Sequence, residues 1–278
     1  MNQSKTWIEC IEERISVRTF DNRNLKSDDF DKLNVFITDC LKETNTPIKF
    51  KILNCQTDEH TNQKFGTYGF ISGTNNFIVG IIDKNNTDPV EFGYTMEKVV
   101  LYATCLGFGT CWLGGTFNRN QFENVLSLNE NEAIGVLVAI GIRKDKQSLM
   151  DRTVRYVAKS NQRKPWSELF FLDNFDTPLT KSKLDQYDKV LEMVRIAPSA
   201  SNKQPWRIIK TGVAYHFYLA RTPNYGLLGF DIQMNDIGIA MCHFELSSKE
   251  LGLNGRWVKD KNVDVIGLEY ILSWVITY

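Results

Sequence analysis

The sequence predicts an α+β protein in which one helix-and-strand unit occurs twice, and three observations lead there. Apolar residues recur at helical spacing in some stretches and alternate in others, so helices and half-buried strands share the chain. Five residues return at a constant interval: Gly93, Met96, Leu106, Gly107 and Trp112 reappear as Gly238, Met241, Leu251, Gly252 and Trp257, an offset of 145 (238 − 93). The length, 278 residues, suits about two domains of roughly 150, and 42% hydrophobic with 24% charged residues matches an ordinary globular chain.

Taken in order, Trp7, Ile8, Ile11 and Ile15 mark a first helix. It ends near residues 14–16, where the β-branched run beginning at Ser16-Val17-Arg18 favours extended chain. Phe30 to Leu41 is a second helix, Ile48, Phe50 and Ile52 alternate with lysines as a strand, and Phe77 to Ile82 is the next strand. From Met96, the positions Val99, Val100, Ala103 and Leu106 trace a helix face closed by Gly107, a left-handed cap. The Gly-rich segment Gly109 to Gly115 follows, then a short helix after Asn118 and an apolar strand from Ile134 to Gly141. Pro165 to Leu179 reads as a connector.

The second copy opens with a helix holding Leu184, Tyr187, Leu191 and Val194, and a strand at Arg207 to Lys210. Here Phe30-Asp31-Lys32 and Thr44-Asn45 recur as Tyr187-Asp188-Lys189 and Ser201-Asn202, offset by 157 (187 − 30). Residues 1–165 and 180–278 are thus read as two halves joined by 166–179 and packed like the subunits of a two-fold dimer. The alternative is chance similarity between amphipathic helices.

Charge and cysteine usage exclude several functions. Thirty-three basic residues balance thirty-three acidic ones, so no global field favours nucleic acid or an anionic membrane. The six cysteines show neither CxxC nor zinc spacing, and three histidines leave little for a metal site, so buried free thiols are expected. The first ten residues contain Lys5 and Glu9 rather than an apolar targeting core, and no stretch approaches ~18 consecutive apolar residues. The expectation is a cytoplasmic protein without a metal.

Several local groups could carry chemistry. Arg14, Ser16 and Arg18 offer two guanidinium forks and a hydroxyl suited to a phosphate, although cations at a helix end also complement its dipole. Arg163-Lys164-Pro165 is a second basic pair, or else a solvated surface pair. Pro198 to Trp206 places hydroxyls and amides between prolines, which suits the polar edge of a planar heterocycle or a plain helix-ending turn. The first copy has only Glu43-Thr44-Asn45-Thr46-Pro47 there, and Gly114-Gly115 has no counterpart after Trp257, so two complementary half-sites would make one site. Gly107-Phe108-Gly109 follows a helix and lacks the third glycine of a dinucleotide fingerprint, and Gly69 to Gly73 is no nucleophile elbow. His60, His216 and His243 read as structural or surface residues, and no acid/base dyad, triad or P-loop emerges.

As a set, Arg14-x-Ser16-Val17-Arg18, the run from Gly107 through Gly115, Arg163-Lys164-Pro165 and Pro198-Ser199-x-x-Asn202-x-Gln204-Pro205-Trp206 resemble the FMN-dependent nitroreductase family. The Pro-Ser-x-x-Asn segment lies in the second copy instead of following the first helix. The chain therefore resembles the branch in which two fused nitroreductase-like halves, each a mostly antiparallel sheet flanked by helices, mimic the homodimer. The resemblance implies that Arg14, Ser16, Arg163 and Lys164 hold the FMN phosphate and ribityl end, with Arg18 toward flavin N1 and O2. It places Leu113, Gly114 and Gly115 near N5 and O4, with Pro198, Ser199, Ser201, Asn202 and Gln204 reaching across from the second half; residues 68–73 are a further candidate wall. It also implies ping-pong hydride transfer from NADH or NADPH to a small acceptor such as a nitroaromatic or quinone, in a monomeric chain. A flavin-binding carrier or sensor without turnover is the alternative.

Overall fold

In the computed structural model, residues 5–55, 66–144, 162–180, 186–226, 229–261, 263 and 267–277 are described. Two positions used above, His60 and Leu184, lie outside them. The first helix, α1 (Trp7–Glu13), starts at a reciprocal cap: Thr6 Oγ1 accepts from Glu9 N at 3.2 Å, and the Glu9 carboxylate accepts from Thr6 N at 2.8 Å. Then come α2 (Ser27–Lys42), β1 (Ile48–Asn54), β2 (Asn76–Asp83), α3 (Pro89–Cys105), β3 (Gly109–Leu113), α4 (Arg119–Glu123) and β4 (Glu132–Gly141). The second part holds α5 (Trp166–Leu169), β5 (Phe170–Leu172), α6 (Tyr187–Arg195), β6 (Trp206–Thr211), β7 (Ala214–Leu219), α7 (Ile232–Glu250), β8 (Gly255–Val258) and β9 (Glu269–Ile276).

The strands form two sheets. The first has the order β1-β2-β4-β3 and the second β5-β6-β7-β9-β8. Without the edge strand β5, which pairs in parallel with β6, the orders correspond strand for strand, and every other pairing is antiparallel. Each central pair even carries a register shift, at Gly80/Ile81 and at Phe217/Tyr218. Each sheet has its own apolar core: Met96 packs with Phe36, Ile78 and Phe92, whereas Met241 packs with Trp206, Phe217 and Phe244. The fold is α+β with helix-flanked, mostly antiparallel sheets.

The halves meet where α3 crosses α7. A Cβ on Gly93 would lie 2.1 Å from Asn235 O, and one on Gly238 would lie 1.9 Å from Val90 O. Since 235 − 90 is again 145, the two close approaches are reciprocal, as at an interface between identical subunits. Backbones this near leave no room for a side chain. Both helices also end alike, on Leu106-Gly107 and Leu251-Gly252, with the glycines at φ +87° and +72°.

Four features depart from the sequence reading. Helix α3 begins at Pro89, where proline fits the first turn and the Asp88 carboxylate accepts from Val90 N. Gly109 to Leu113 is an edge strand against β4, because Thr110, Cys111 and Trp112 suit a pleated surface. The segment after Pro165 is built into the second sheet through β5. The expectation of free thiols is corrected for Cys10 and Cys105: they form a disulfide with Cα atoms 5.4 Å apart, tying α1 to the end of α3. Cys40, Cys55, Cys111 and Cys242 are free and buried. No described helix is long and apolar enough to cross a membrane, and no cluster of potential metal ligands occurs among the described residues.

Candidate functional site

A cavity of about 350 Å³ lies between the halves, within the size range of small-molecule sites. The chain leaving α1 forms one wall. It is fixed there by a backbone bond from Val17 N to Thr110 O, which lays residues 16–17 beside β3, and by one from Ser72 N to Arg18 O, which ties the next residues to Ser72. Arg14, Ser16 and Arg18 thereby face the cavity, as do Leu113, Gly114 and Gly115 at the end of β3. Arg163 and the loop residues Pro198, Ser199, Ser201 and Asn202 close it from the other side. Residues 188 positions apart along the chain (202 − 14) thus share one crevice.

Lys164 and Gln204 are not in the lining. Gln204 is buried behind the loop, where its Oε1 accepts from Lys164 N at 2.7 Å and its Nε2 donates to Asn202 O at 3.1 Å. The Lys164 ammonium turns outward to Glu168, 3.2 Å away. These two residues join the basic segment to the loop rather than facing a ligand.

The loop itself is held in an uncommon conformation. Ser201, Asn202 and Gln204 have φ of 47°, 54° and 48°, left-handed values that cost a non-glycine residue about 1–2 kcal/mol each. The surroundings over-determine them. Gln204 N donates to Ser199 Oγ at 2.9 Å, Asn202 Nδ2 donates to Gln162 O at 2.7 Å, and Ala200 N donates to both carboxylate oxygens of Asp236 at 3.1 Å. Strain of this kind concentrates where backbone and side chains must be presented in one arrangement.

The electrostatics are lopsided toward positive charge. Burial and then the neighbouring Arg14 and Arg195 push the Arg163 guanidinium down to about 10. Arg14 is likewise lowered by burial, which Glu97 only partly offsets. Its Nε has no hydrogen-bond partner and stands 3.7 Å from Glu97 Oε1. Arg163 donates to Ile196 O at 3.0 Å and to Asn202 Oδ1, which fixes its fork at the wall. Two desolvated cations that repel each other across a cavity form a site for an anion.

Sequence reasoning missed Asn235, Asp236 and Tyr225, all in the lining. Asn235 Oδ1 is a buried acceptor with no partner. Burial drives the Asp236 carboxyl well above the ordinary range, with the Ala200 N–H only partly opposing it. A signal for Asp236 did exist: it stands 145 positions after Glu91, so both copies place a carboxylate there. Glu91 accepts from Asn45 N at 2.7 Å and from Thr46 N at 2.8 Å, closing the corresponding loop of the first half.

Comparison with known proteins follows the same outline. A family model described as "Putative TM nitroreductase" matches residues 6–248. Among solved structures, one described as a putative nitroreductase from Thermotoga maritima shares 20% identity, covering 99% of this chain and 96% of its own, with a TM-score of 0.62. A nitroreductase family protein from Clostridium novyi NT (22% identity, TM-score 0.40) covers 53% of this chain and 91% of its own. A nitroreductase with bound FMN from Bacteroides fragilis (18% identity, TM-score 0.40) covers 52% and 92%. No curated protein sequence matches.

Proposed function

Because the chain belongs to the nitroreductase family matched over residues 6–248, we propose that it is an FMN-dependent oxidoreductase using NADH or NADPH. The observation that carries this reading is the pair of buried, mutually repelling guanidiniums, Arg14 and Arg163, in the wall of one cavity with the strained polar loop. A flavin phosphate fits that charge, and the partnerless Asn235 Oδ1 offers an acceptor to a ring N–H.

When bound, the flavin supplies the hydride chemistry, which is why no protein acid/base dyad is needed. Arg14, Ser16 and Arg163 hold the phosphate end, each charge-assisted hydrogen bond contributing about 1.5–3 kcal/mol. Lys164 adds charge from behind and, with Gln204, fixes the loop. Arg18, in the same wall, would supply a cation to the flavin's N1 and O2 edge and favour its reduced form. Leu113, Gly114 and Gly115 would bring backbone toward the flavin's N5 and O4, and Pro198, Ser199, Ser201 and Asn202 would present hydroxyls and amides to its ring from the second half. Donor and acceptor use the same opening in turn, giving ping-pong kinetics with a nitroaromatic, quinone or similar acceptor. Each chain carries one such site and functions as a monomer.

The test is a spectrum followed by turnover. The expected result is yellow protein with one FMN per chain that bleaches with NADH or NADPH and recovers on adding a quinone. Protein that neither retains nor takes up FMN overturns the reading, and flavoprotein inert to both nicotinamides assigns a carrier instead.

A further inference from the structure

Arg14 and Trp112, both in the cavity wall, rest on one carboxylate. Glu97 of α3 is fully buried; its Oε2 accepts from Trp112 Nε1 at 2.9 Å, and its Oε1 lies 3.7 Å from Arg14 Nε and 2.9 Å from Nε2 of His243 in α7. His243 is equally buried, and its Nδ1 is 3.0 Å from Met193 O. A backbone carbonyl only accepts, so Nδ1 carries a hydrogen. The Nε2 contact then closes only with a proton between imidazole and carboxylate, either as imidazolium donating to Glu97 or as a neutral ring accepting from a protonated Glu97. Without that proton, a nitrogen lone pair would face a carboxylate oxygen inside a desolvated helix crossing.

This proton has no part in the hydride chemistry proposed above, yet it sets the charge behind the anion site. With it, Arg14, Glu97 and His243 together carry one positive charge; without it they carry none. Apart from Arg163, which faces Arg14 with its guanidinium lowered to about 10 and is the cation to control for, the neighbours leave this balance to the pair. Burial keeps the Cys242 thiol well above its ordinary range; burial also opposes the charge on Lys98, but its bond to Glu43 and the surrounding Cys40, Glu43 and Cys242 together raise it. Cys111 approaches Arg14 from β3. Asp236, which faces Glu97 from α7, is the other acid to control for.

We propose that Glu97 and His243 are positioning residues that share this proton and tie anion binding in the cavity to proton uptake. An anion against Arg14 favours the protonated pair, and the pair without its proton holds the anion more weakly. The proposal rests on the anion-binding reading of the cavity given above, and its test separates the two.

The first measurement is the ¹⁵N spectrum of the histidine rings, of which the chain has three. The His243 ring should carry hydrogen on Nδ1, and adding inorganic phosphate should shift the ring and its Glu97 partner toward their protonated form; a ring protonated on Nε2 alone, or a protonation indifferent to phosphate, overturns the proposal. The second is calorimetry of FMN binding in buffers of different ionisation heat between about pH 6 and 9, on the wild type and on Asp236→Asn. Wherever the free pair lacks the proton, uptake should approach one proton per FMN and Kd should rise about tenfold per pH unit. His243→Gln, whose amide can still donate to Met193 O, and Glu97→Gln should lose this slope and keep only the phosphate's own titration near pH 6. An unchanged slope in both variants overturns the proposal while leaving the cofactor reading intact; absence of FMN binding sinks the cofactor reading, and the phosphate titration still decides the pair.

Discussion

The two halves use matching parts for different ends, and the contrast is sharpest at their tryptophans and loops. Trp112 donates to Glu97, which is buried against His243 behind the cavity. Its counterpart Trp257 donates to Glu245 at 2.7 Å, but that carboxylate also accepts from Tyr94 and pairs with the exposed Lys249 at 2.5 Å. The loops diverge in the same direction. Glu91 takes backbone and side-chain donors from both Asn45 and Thr46, so the short loop of the first half is tied off. Among the described residues, Asp236 receives only the Ala200 N–H, and the loop it anchors is strained and faces the cavity. One loop is a strap and the other a wall.

The comparison can be broken at its centre first. Gly238→Val puts a branched side chain where even a Cβ would be 1.9 Å from a carbonyl oxygen, so the expected loss is about 4 kcal/mol or more, read as failure to fold or a collapsed thermal melt. A wild-type melt would mean that the halves do not meet through this crossing. The tie present only in the first half comes next. Replacing Cys10 and Cys105 together by serine should cost about 2–5 kcal/mol by denaturant titration, and reductant should mimic it. Arg163→Ala should weaken FMN binding by about 1.5–3 kcal/mol, roughly 10- to 150-fold, with the melt little changed.

A subtler contrast lies in the two equivalent carboxylates. Burial opposes ionisation of Glu91, but its donors outweigh it and hold the group below its ordinary value. Its stabilising contribution is therefore present above the unfolded value near 4.3 and disappears as pH falls through the lower folded value. Asp236 is raised, so its effect on stability runs the other way, worsening as pH climbs above about 3.9 toward its folded value. Urea midpoints across acid pH should show Glu91→Gln harmful mainly at the higher pH and Asp236→Asn relatively beneficial there; parallel profiles would remove the distinction. The smallest effect is expected at Lys249→Ala, below about 0.5 kcal/mol, because its ammonium is mostly solvated.

Local signals were readable where one stretch of chain sets its own structure. Gly107 and Gly252 end their helices as left-handed caps, and Arg14, Arg163 and the 198–202 loop stand out by residue type. What escaped depends on partners far along the chain. The sequence pattern starts α3 at Met96; only the crossing with α7 explains the buried Gly93 upstream of it. Cys10 and Cys105 are 95 positions apart, with no spacing to announce the bond. Asn235 and Asp236 resemble surface polar residues of an amphipathic helix, and Glu97 reaches His243 only through the helix crossing.

The reciprocal glycines also bear on how this site responds to dilution. Were the same crossing made by two separate polypeptides, its assembly would be bimolecular, and a crevice lined from both sides would fall apart as the molecules became scarce. Here the stretch after Pro165 leashes one partner to the other, so their mutual encounter is intramolecular and independent of how much protein is present. A ligand isotherm recorded at nanomolar protein should therefore superimpose on one recorded at micromolar.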